Sequence, residues 1–554
     1  MANRVLTGAL FKKMVINGAM NLKNCYKEID DLNVFPIPDG DTGTNMQMTI
    51  MSGIKELEIS KSDSIIEVSG IFSSALIRGS RGNSGAILSQ FFKGLSNEIK
   101  KVEDKKITTT EFVQALVGGY EKTYNSVMEP VEGTILTVVR EAAERVVREQ
   151  SKLETIEDIL AVYIKQARLT LSKTPELLPV LKEAGVVDSG GAGFVKIVEG
   201  MIMALEGDVI VANTIEEIKH DDDHSAILAL GEIDIKYGYC TEFIVTCTEP
   251  EKVDVNEIRN FLSQFGDSLV VINDDEILKV HVHTDRPGDV FNYAQTYGEL
   301  DQLKVENMRR QNREARAAAT KEGQESFDLK PNKGKTKYGI VAVCQGSGIK
   351  KIFTELGADY IIDGGQTMNP STQDFIDAVK NINAEHIIIL PNNSNVILSA
   401  EQACTLITDK VVKVVKCKNI AQGYSSILNF DAALELDENL EIMSEASKAS
   451  GCGEVTYSVR DTSINGVEIR KDDFLAICKG DIIASVLTEY EASCSLCKAL
   501  ITDSSEIITI FYGKDSDEEK ANAIKDYCKT INSTIEVEII EGNQDIYSII
   551  INVE

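Results

Sequence analysis

The chain of 554 residues has a formal charge of −30, with 57 lysine and arginine residues against 87 aspartate and glutamate residues. Its length exceeds what one hydrophobic core supports and predicts about three or four domains. The acidic excess argues against nucleic acid and anionic membranes as general partners, because both attract basic surfaces.

The sequence is typical of a cytoplasmic protein. No apolar run approaches the ~20 residues that span a bilayer, and the start of the chain lacks the order of regions found in a signal peptide. The eleven cysteines are scattered through apolar runs, as reduced core thiols are. We therefore expect a cytoplasmic location and no stable membrane insertion.

Residues 1–207 are predicted to be all helical. Four stretches place apolar residues at i, i+3, i+4 and i+7, which is the period of an amphipathic helix. They are SIIEVSGIFSSALI, SGAILSQFFKGLSNEIK, GTILTVVREAAERVVREQ and TIEDILAVYIKQARLTL. The segment IKHDDDHSA that follows is interpreted as a polar linker rather than a metal site of His220 and His224.

Residues 225–320 are predicted to form a small α/β middle domain. EFIVTC and EILKVHVH alternate as strands do, and VNEIRNFLSQFG between them has a helical period. The basic stretch NMRRQNREARAAATKEGQESFDLKPNKGKTK then predicts a helix end that continues into a flexible linker.

Residues 336–554 are predicted to be α/β, as one larger domain or two small lobes. YGIVAVC, YIID, HIIILP and VVKVVK are short apolar runs typical of buried parallel strands, and FLAICKG, IITIFYG and IYSIIINVE extend the pattern. The segments DGGQTMNPST, LPNNSN and NIAQGYSS would lie at the carboxyl ends of strands, where open α/β sheets bind ligands. Cys494 and Cys497 fall in an amphipathic helix, which favours core or surface thiols over a redox pair.

The segment NVFPIPDGDTGTNM places Asp39 and Asp41 in a tight loop. Two carboxylates so close repel each other unless a cation lies between them, and oxygen ligands suit Mg²⁺. Thr42, Thr44 and Asn45 follow at the start of the next helix, where backbone N–H groups favour anions.

This loop has three other interpretations. An aspartyl-phosphate motif has glycine directly before threonine and follows a buried strand, whereas Thr42 precedes Gly43 here. A calcium loop needs further acidic ligands, and TGTNM supplies none. A purely structural turn remains open on the loop alone.

Two glycine-rich segments accompany the acidic loop. RGSRGNSGAILSQFF leads into a helix that Ser84 is expected to cap, with Gly85 in its first turn. GVVDSGGAG offers Asp188 and Gly190 beside further glycines. Glycine-rich turns at helix N-termini cradle phosphates, so the three segments together indicate a Mg²⁺–nucleotide site.

The motifs LNVFPIPDGDTGTNM, RGNSGAILSQ, VEGTILTVV and GVVDSGGAG resemble the nucleotide-binding L-type domain of the dihydroxyacetone kinases, in the form found in bacterial fatty acid kinase. The resemblance implies a helical barrel that holds ATP through Mg²⁺. By motif, Asp39 and Asp41 would bind Mg²⁺ and act in catalysis. Eight residues would surround the nucleotide: Thr42, Thr44, Asn45, Ser84, Gly85, Thr134, Asp188 and Gly190.

The chain departs from the dihydroxyacetone kinases at one position of this motif. Those enzymes carry a further aspartate upstream of the pair, where Asn33 and Val34 stand here. A third carboxylate ligand is therefore unassigned, with Asp31 as a distant candidate.

The middle region contains a candidate zinc site. Alternation in ILKVHVHTD places His281 and His283 on one strand face, and Cys240 in YGYCTEF could supply a thiolate, a mixed set that suits Zn²⁺. A solvent-facing histidine pair is the plainer interpretation, and the resemblance to fatty acid kinase, which extends through these segments, favours the metal. A third interpretation makes His283 catalytic, as an acceptor or relay of a phosphoryl group.

The C-terminal loops resemble those of DegV-type fatty-acid-binding proteins, which implies a DegV-like domain with a docking or dimerising role. The resemblance implies the catalytic component of a fatty acid kinase, which transfers phosphate from ATP to a fatty acid on a separate DegV-type protein, and a homodimer. A dihydroxyacetone-type kinase is the first alternative, but it needs a substrate-holding histidine, and only His386 lies in the C-terminal region. A nucleotide-sensing scaffold without catalysis is the second.

Overall fold

The computed structural model describes residues 3–33, 40–127, 130–208, 210, 237, 239–248, 250, 253–274, 277–307, 336–365, 369–464 and 466–554. The chain divides into two compact units, one of residues 1–213 with 329–554 and the other of residues 214–328. Both predicted linkers fall largely outside the described residues. The division into domains at 1–207, 225–320 and 336–554 stays a prediction.

The N-terminal part of the first unit is a packed set of helices with one small strand pair. Its elements are β1 (Val5–Thr7), α1 (Gly8–Asp30), α2 (Thr42–Ile59), α3 (Ile65–Arg78), α4 (Gly82–Ile99), β2 (Lys106–Thr108), α5 (Thr109–Ser126), α6 (Ile135–Glu149), α7 (Ile156–Leu177), α8 (Pro179–Ala184) and α9 (Ser189–Glu206). The antiparallel pair β1–β2 is the feature that the helical pattern did not predict.

Local sequence sets where several of these helices begin. Thr108 and Glu111 form a capping box at α5, and Thr155 and Asp158 form another at α7. Each box pairs a side chain with a backbone N–H that would otherwise be unsatisfied at the helix start. The four helices expected from the apolar period are all present.

Aromatic rings fill the core between the helices. The ring centroids of Phe72 and Phe92 lie 5.0 Å apart, and those of Phe91 and Phe194 lie 4.9 Å apart, both pairs edge to face. All four side chains are buried. Edge-to-face packing of this kind adds to the hydrophobic gain, so residues from α3, α4 and α9 share one core.

The second unit contains one antiparallel sheet with two helices. Its elements are β3 (Tyr239–Cys247), α10 (Val255–Leu262), β4 (Gly266–Asp274), β5 (Ile277–Thr284), α11 (Pro287–Ala294) and β6 (Gly298–Asn307). The strand order is β4-β5-β3-β6. The predicted strands and the predicted helix of the middle region are confirmed.

The C-terminal part of the first unit contains two sheets. Its elements are β7 (Thr336–Cys344), α12 (Ser347–Glu355), β8 (Tyr360–Asp363), α13 (Thr372–Lys380), β9 (Ala384–Leu390), α14 (Ile397–Leu406), β10 (Val411–Val414), α15 (Ile420–Leu428), α16 (Leu436–Ala449), β11 (Gly451–Tyr457), β12 (Thr462–Ile464), β13 (Val467–Ile469), β14 (Phe474–Cys478), β15 (Asp481–Val486), α17 (Glu489–Leu500), β16 (Ile507–Tyr512), α18 (Glu518–Ile531), β17 (Glu536–Glu541) and β18 (Ile549–Val553).

The first of these sheets is parallel, with strand order β10-β9-β7-β8. The second has the order β15-β14-β11-β18-β16-β17 and is antiparallel except for β16 with β17. Ile340 and Ile388 of the first sheet share a buried cluster with Leu475, Phe511 and Ile550 of the second. The region is therefore one α/β body with two sheets, and the multidomain fold class is confirmed.

The cysteine pair of α17 has a structural place. Cys497 is buried, with its Sγ 3.4 Å from Sγ of Cys528 on α18, while Cys494 is half-buried. Within the described residues, no helix is long and apolar enough to cross a bilayer.

The crossing of α4 over α5 depends on glycine. A Cβ on Gly94 would lie 2.1 Å from the carbonyl oxygen of Gly118, whereas a Cβ on Gly70 of α3 would meet nothing nearer than Cε of Lys100 at 3.5 Å. We expect Gly94→Ala to lower the free energy of unfolding by ~1–3 kcal/mol because the helices must move apart.

The matched variant Gly70→Ala should leave that free energy unchanged or raise it by up to ~1 kcal/mol, since alanine favours helix. Urea unfolding of the full chain, followed by far-ultraviolet circular dichroism, measures both. Equal effects of the two substitutions would contradict the close crossing.

Candidate functional site

The start of α2 is held by an aspartate from the end of α1. Asp30 accepts hydrogen bonds from the backbone N–H of Thr44 at 3.1 Å and from its hydroxyl at 2.7 Å. Burial raises the pKa of Asp30, and the hydrogen bonds from Thr44 and from the N–H of Gly43 oppose that rise. Asp41 stands at the N-cap position but makes no capping bond with its side chain.

This arrangement corrects the expectation for a third carboxylate. Asp31, the distant candidate, is exposed, whereas its neighbour Asp30 lies against the first turn of α2. The side chains of a helix end alternate in direction, and here only the earlier aspartate faces inward. Asp39 lies outside the described residues.

Asn33 joins the starts of α2 and α9. Its amide oxygen accepts hydrogen bonds from the hydroxyl of Thr42 at 2.8 Å and from that of Ser189 at 3.0 Å. Asn33 occupies the stretch where the dihydroxyacetone kinases are expected to carry an aspartate. Its role is to bring two helix N-termini together.

The turn between α3 and α4 lies against α2. Gly82 has φ +58°, and a Cβ there would lie 2.5 Å from Nδ2 of Asn45. A Cβ on Gly85 would lie 2.2 Å from Oγ1 of Thr49. The hydroxyl of Ser84 donates to the carbonyl oxygen of Thr42 at 3.4 Å. The two helix starts are therefore in direct contact.

The expectation that Ser84 caps α4 is wrong. The helix begins at Gly82, with Arg81 as its N-cap and without a side-chain capping bond. The left-handed backbone of Gly82 turns the chain into the helix two residues earlier than the pattern indicated.

Asp188 holds the starts of α6 and α9. Its carboxylate accepts a hydrogen bond from the N–H of Gly191 at 2.6 Å and another from the N–H of Ile135. Burial raises the pKa of Asp188 to about 6, against the lowering effect of these two bonds. Gly190 packs on Ile135, and Thr134 caps α6 by accepting from the N–H of Leu136 at 3.4 Å.

The structure thus brings four helix N-termini to one end of the helical part. Ser84 connects α4 with α2, Asn33 connects α2 with α9, and Asp188 connects α9 with α6. Helix N-termini carry partial positive charge and unpaired N–H groups, so together they favour phosphate. The sequence-predicted residues that this end contains are Asp41, Thr42, Thr44, Asn45, Ser84, Gly85, Thr134, Asp188 and Gly190.

Loops of the C-terminal part approach the same end. Asn369 donates from Nδ2 to Oδ2 of Asp41, and Nη1 of Arg81 donates to the carbonyl oxygen of Asn369 at 2.8 Å. Asn83 donates to Asn395 at 3.1 Å. The sequence predicted that DGGQTMNPST and LPNNSN lie at strand ends, and these residues belong to them.

Sequence reasoning missed four residues at this end: Asp30, Asn33, Arg81 and Asn369. Asp30, Asn33 and Arg81 flank quoted motifs, so their position was a usable signal. Asn369 follows β8 and is 328 residues from Asp41 along the chain, so no spacing connects them.

The candidate zinc ligands lie outside the described side chains. The backbone register pairs Cys240 of β3 with His283 of β5, and Glu242 with His281. Among the side chains that the structure does describe, no three His, Cys, Asp or Glu residues are grouped to hold a metal ion. The zinc site stays a prediction.

Comparison with known proteins covers nearly the whole chain. The DAK2 domain matches residues 36–203, and the FakA-like families of fatty acid kinase, one for the middle domain and one for the C-terminal domain, match residues 236–315 and 339–554. An uncharacterized protein of Staphylococcus epidermidis is 44% identical over 554 residues, covering 99% of each chain. These domains support a kinase role.

Solved structures resemble separate parts. The dihydroxyacetone kinase of C. freundii in complex with AMP-PNP and Mg²⁺ is 16% identical over 35% of this chain and 34% of that one, with a TM-score of 0.28. The fatty acid kinase B3 protein of Streptococcus pneumoniae, loaded with linoleic acid, is 10% identical over 40% of this chain and 99% of that one, with a TM-score of 0.29.

The raised pKa of Asp188 predicts a pH effect. Its folded value of about 6 exceeds the ~3.9 of an unfolded chain, so the stability contributed by the protonated carboxyl is lost as pH rises from about 4 through 6. Asp188→Asn keeps a capping oxygen but does not titrate. We expect the melting temperature of the wild type, relative to this variant, to fall across that window.

Differential scanning calorimetry of both proteins between pH 4 and pH 7.5 measures this difference. A difference that rises with pH would contradict the prediction, because it would mean that the two helix N-termini lower the pKa more than burial raises it.

Proposed function

We propose, since this chain belongs to the FakA-like family of fatty acid kinase, that it transfers the γ-phosphoryl group of ATP to the carboxylate of a protein-bound fatty acid, giving an acyl-phosphate. The proposal rests on one observation above all. Four helix N-termini meet beside Asp41, and such an end suits the phosphates of a nucleotide.

The residues at this end fit a magnesium ion. Asp41 has its carboxylate at the mouth of the helix N-termini without using it as a cap, and Asp30 and Asn33 add oxygen atoms nearby. All are the hard oxygen groups that Mg²⁺ prefers. Asp39 and Asp41 would hold the ion, which when bound neutralises charge on the phosphates.

The protein's own residues would act mainly by positioning. The backbone N–H groups at the starts of α2 and α4 would bind phosphate oxygens, and Gly82 and Gly85 leave no side chain between the backbone and Asn45 or Thr49. A fatty acid carboxylate is already a nucleophile, so no strong general base is needed. This agrees with the absence of histidine from residues 1–207 of the sequence.

A separate DegV-type protein would carry the fatty acid. A cleft between the two C-terminal sheets has a volume of about 40 Å³, far below the ~300 Å³ or more of ordinary ligand pockets. It is lined by Val343, Gly365, Asn393, Ile420, Tyr547 and Ile550, among others. An acyl chain held elsewhere is therefore the better interpretation, and the homodimer stays an expectation.

His386 argues against the dihydroxyacetone-type alternative. It is half-buried in β9, its ring lies 5.6 Å from that of Tyr338, and its Nδ1 is buried without a hydrogen-bond partner among the described residues. A histidine that holds a ketone must be open to the substrate. This one is packed against an aromatic ring.

Asp41→Asn tests the kinase proposal. The change removes the negative charge of the carboxylate, so we expect acyl-phosphate formation to fall more than about 100-fold. The assay combines ATP, Mg²⁺ and a fatty acid on a DegV-type protein, with dihydroxyacetone as the alternative acceptor. Asp31→Asn, an exposed acid near the same loop, is the control and should keep full turnover.

Turnover on dihydroxyacetone alone would move the protein to the sugar-kinase alternative. Nucleotide binding by the wild type without turnover on either acceptor would favour the scaffold. Full turnover by Asp41→Asn would show that the site is elsewhere.

The middle unit provides a second test. We propose that Cys240, His281 and His283 hold Zn²⁺, because residues paired as Cys240 and His283 are have Cα atoms ~4.5–5.5 Å apart. The purified chain should contain about one zinc ion, and His283→Gln should lose it while His386→Gln keeps it, as measured by plasma mass spectrometry.

Zinc retained by His283→Gln together with lost turnover would instead favour a phosphoryl-relay role for His283. A wild-type chain without zinc would contradict the metal site.

A further inference from the structure

The loop after β8 brings a side chain of the C-terminal part into the candidate site. We propose that Asn369 is a residue of the cation site of this kinase: its Nδ2 orients the carboxylate of Asp41, and its Oδ1 is an additional oxygen ligand for the divalent cation. The inference rests on the function proposed above.

The position of Asn369 is set by contacts of the polypeptide backbone. Arg81 and Ser371 form an antiparallel bridge, and the N–H of Thr372 donates to the carbonyl oxygen of Ser80 at 3.2 Å. Nη1 of Arg81 donates to the carbonyl oxygen of Asn369 itself. The loop is therefore attached to the turn before α4 at Asn369 and at the residues that follow it.

Buried side chains reinforce this attachment. The hydroxyl of Ser80 is 3.0 Å from that of Thr372 and donates to Oε1 of Gln402 at 2.7 Å, and Nε2 of Gln402 donates to Ser89 at 3.3 Å. Ser80, Thr372 and Ser89 are all fully buried. A closely packed polar interface of this kind holds its side chains in one geometry.

The orientation of the Asn369 amide follows from its neighbours. Nδ2 donates to Oδ2 of Asp41 and lies 3.5 Å from Oδ1 of Asn45. Both neighbours are acceptors, so the nitrogen and not the oxygen must face them. The amide oxygen therefore points away from this pair of acceptors.

That oxygen has no hydrogen-bond partner among the residues that the structure describes, although Asn369 is only 3% exposed. Most buried polar atoms in proteins are paired, because leaving one unpaired is unfavourable. Asp30, Asn33 and Asn45 of the same end all use their side-chain oxygens as acceptors. The unpaired oxygen of Asn369 is thus available to a cation.

The geometry permits one ion to reach both groups. The oxygen and nitrogen of an amide are about 2.2 Å apart, so Oδ1 of Asn369 lies within about 5 Å of Oδ2 of Asp41. Ligands of one magnesium ion lie ~2.1 Å from it and so up to ~4.2 Å from each other. A small rotation of the Asn369 side chain suffices.

The site would then be built from both parts of the first unit. The carboxylate comes from the loop before α2, and the amide comes from the carboxyl edge of the parallel sheet. Cation affinity would depend on the C-terminal part being docked, even though the nucleotide-binding helices are complete without it.

The test is the binding of Mn²⁺, a probe for Mg²⁺, to the full chain in the presence of ADP, measured by electron paramagnetic resonance. Asn369→Leu removes both polar atoms at similar volume, and Asn369→Asp keeps an oxygen. Asn395→Ala is the matched control, because Asn395 makes an amide contact in the same interface, with Asn83, away from Asp41.

We expect Asn369→Leu to weaken Mn²⁺ binding by ~10- to 100-fold. Asn369→Asp should weaken it less than Asn369→Leu, and Asn395→Ala should change it less than about twofold. Unchanged affinity in Asn369→Leu would overturn the inference. So would equal weakening by Asn395→Ala, since the effect would then come from docking alone.

The wild type separates this inference from the proposed function. If the wild-type chain binds no Mn²⁺ with ADP, both fail together. If it binds Mn²⁺, forms acyl-phosphate and loses both with Asp41→Asn, while Asn369→Leu binds normally, only the role of Asn369 is wrong.

Discussion

The structure depends on how the backbone N–H groups at converging helix N-termini are satisfied. The first turn of a helix leaves its N–H groups without partners within the helix, and four such turns meet at one end of the helical part. Asp30 accepts for α2, and Asp188 accepts for both α6 and α9. Without these two carboxylates the helix starts would face each other with unpaired donors.

The same requirement shapes the chemistry of this end. Helix N-termini favour negative charge, and each of these carboxylates takes up part of that preference inside the protein. The starts of α2 and α4 are left to meet an outside anion beside Asp41. A strongly acidic chain can in this way offer a local phosphate site, because the attraction comes from aligned peptide groups rather than from lysine or arginine.

The C-terminal part places its usual ligand-binding edge against this end. Loops after β8 and β9 contact the turn before α4, through Asn369, Ser371 and Asn395. The carboxyl edge of an open parallel sheet commonly binds small ligands, but here its polar groups bond to another part of the chain. A fold associated with ligand binding therefore serves docking, and the cleft that remains is small.

The sequence by itself determined the helices, the strands and the acidic loop, because periodicity, capping residues and glycine act over a few neighbouring residues. It also brought together Asp41, Asn45, Gly85 and Asp188 as one candidate site. Only the tertiary structure decided that Asp30 faces inward rather than Asp31, that α4 begins before Ser84, and that Asn369 reaches Asp41. Those outcomes depend on packing between elements far apart in the chain, and no local pattern records which distant side chain fills a given space.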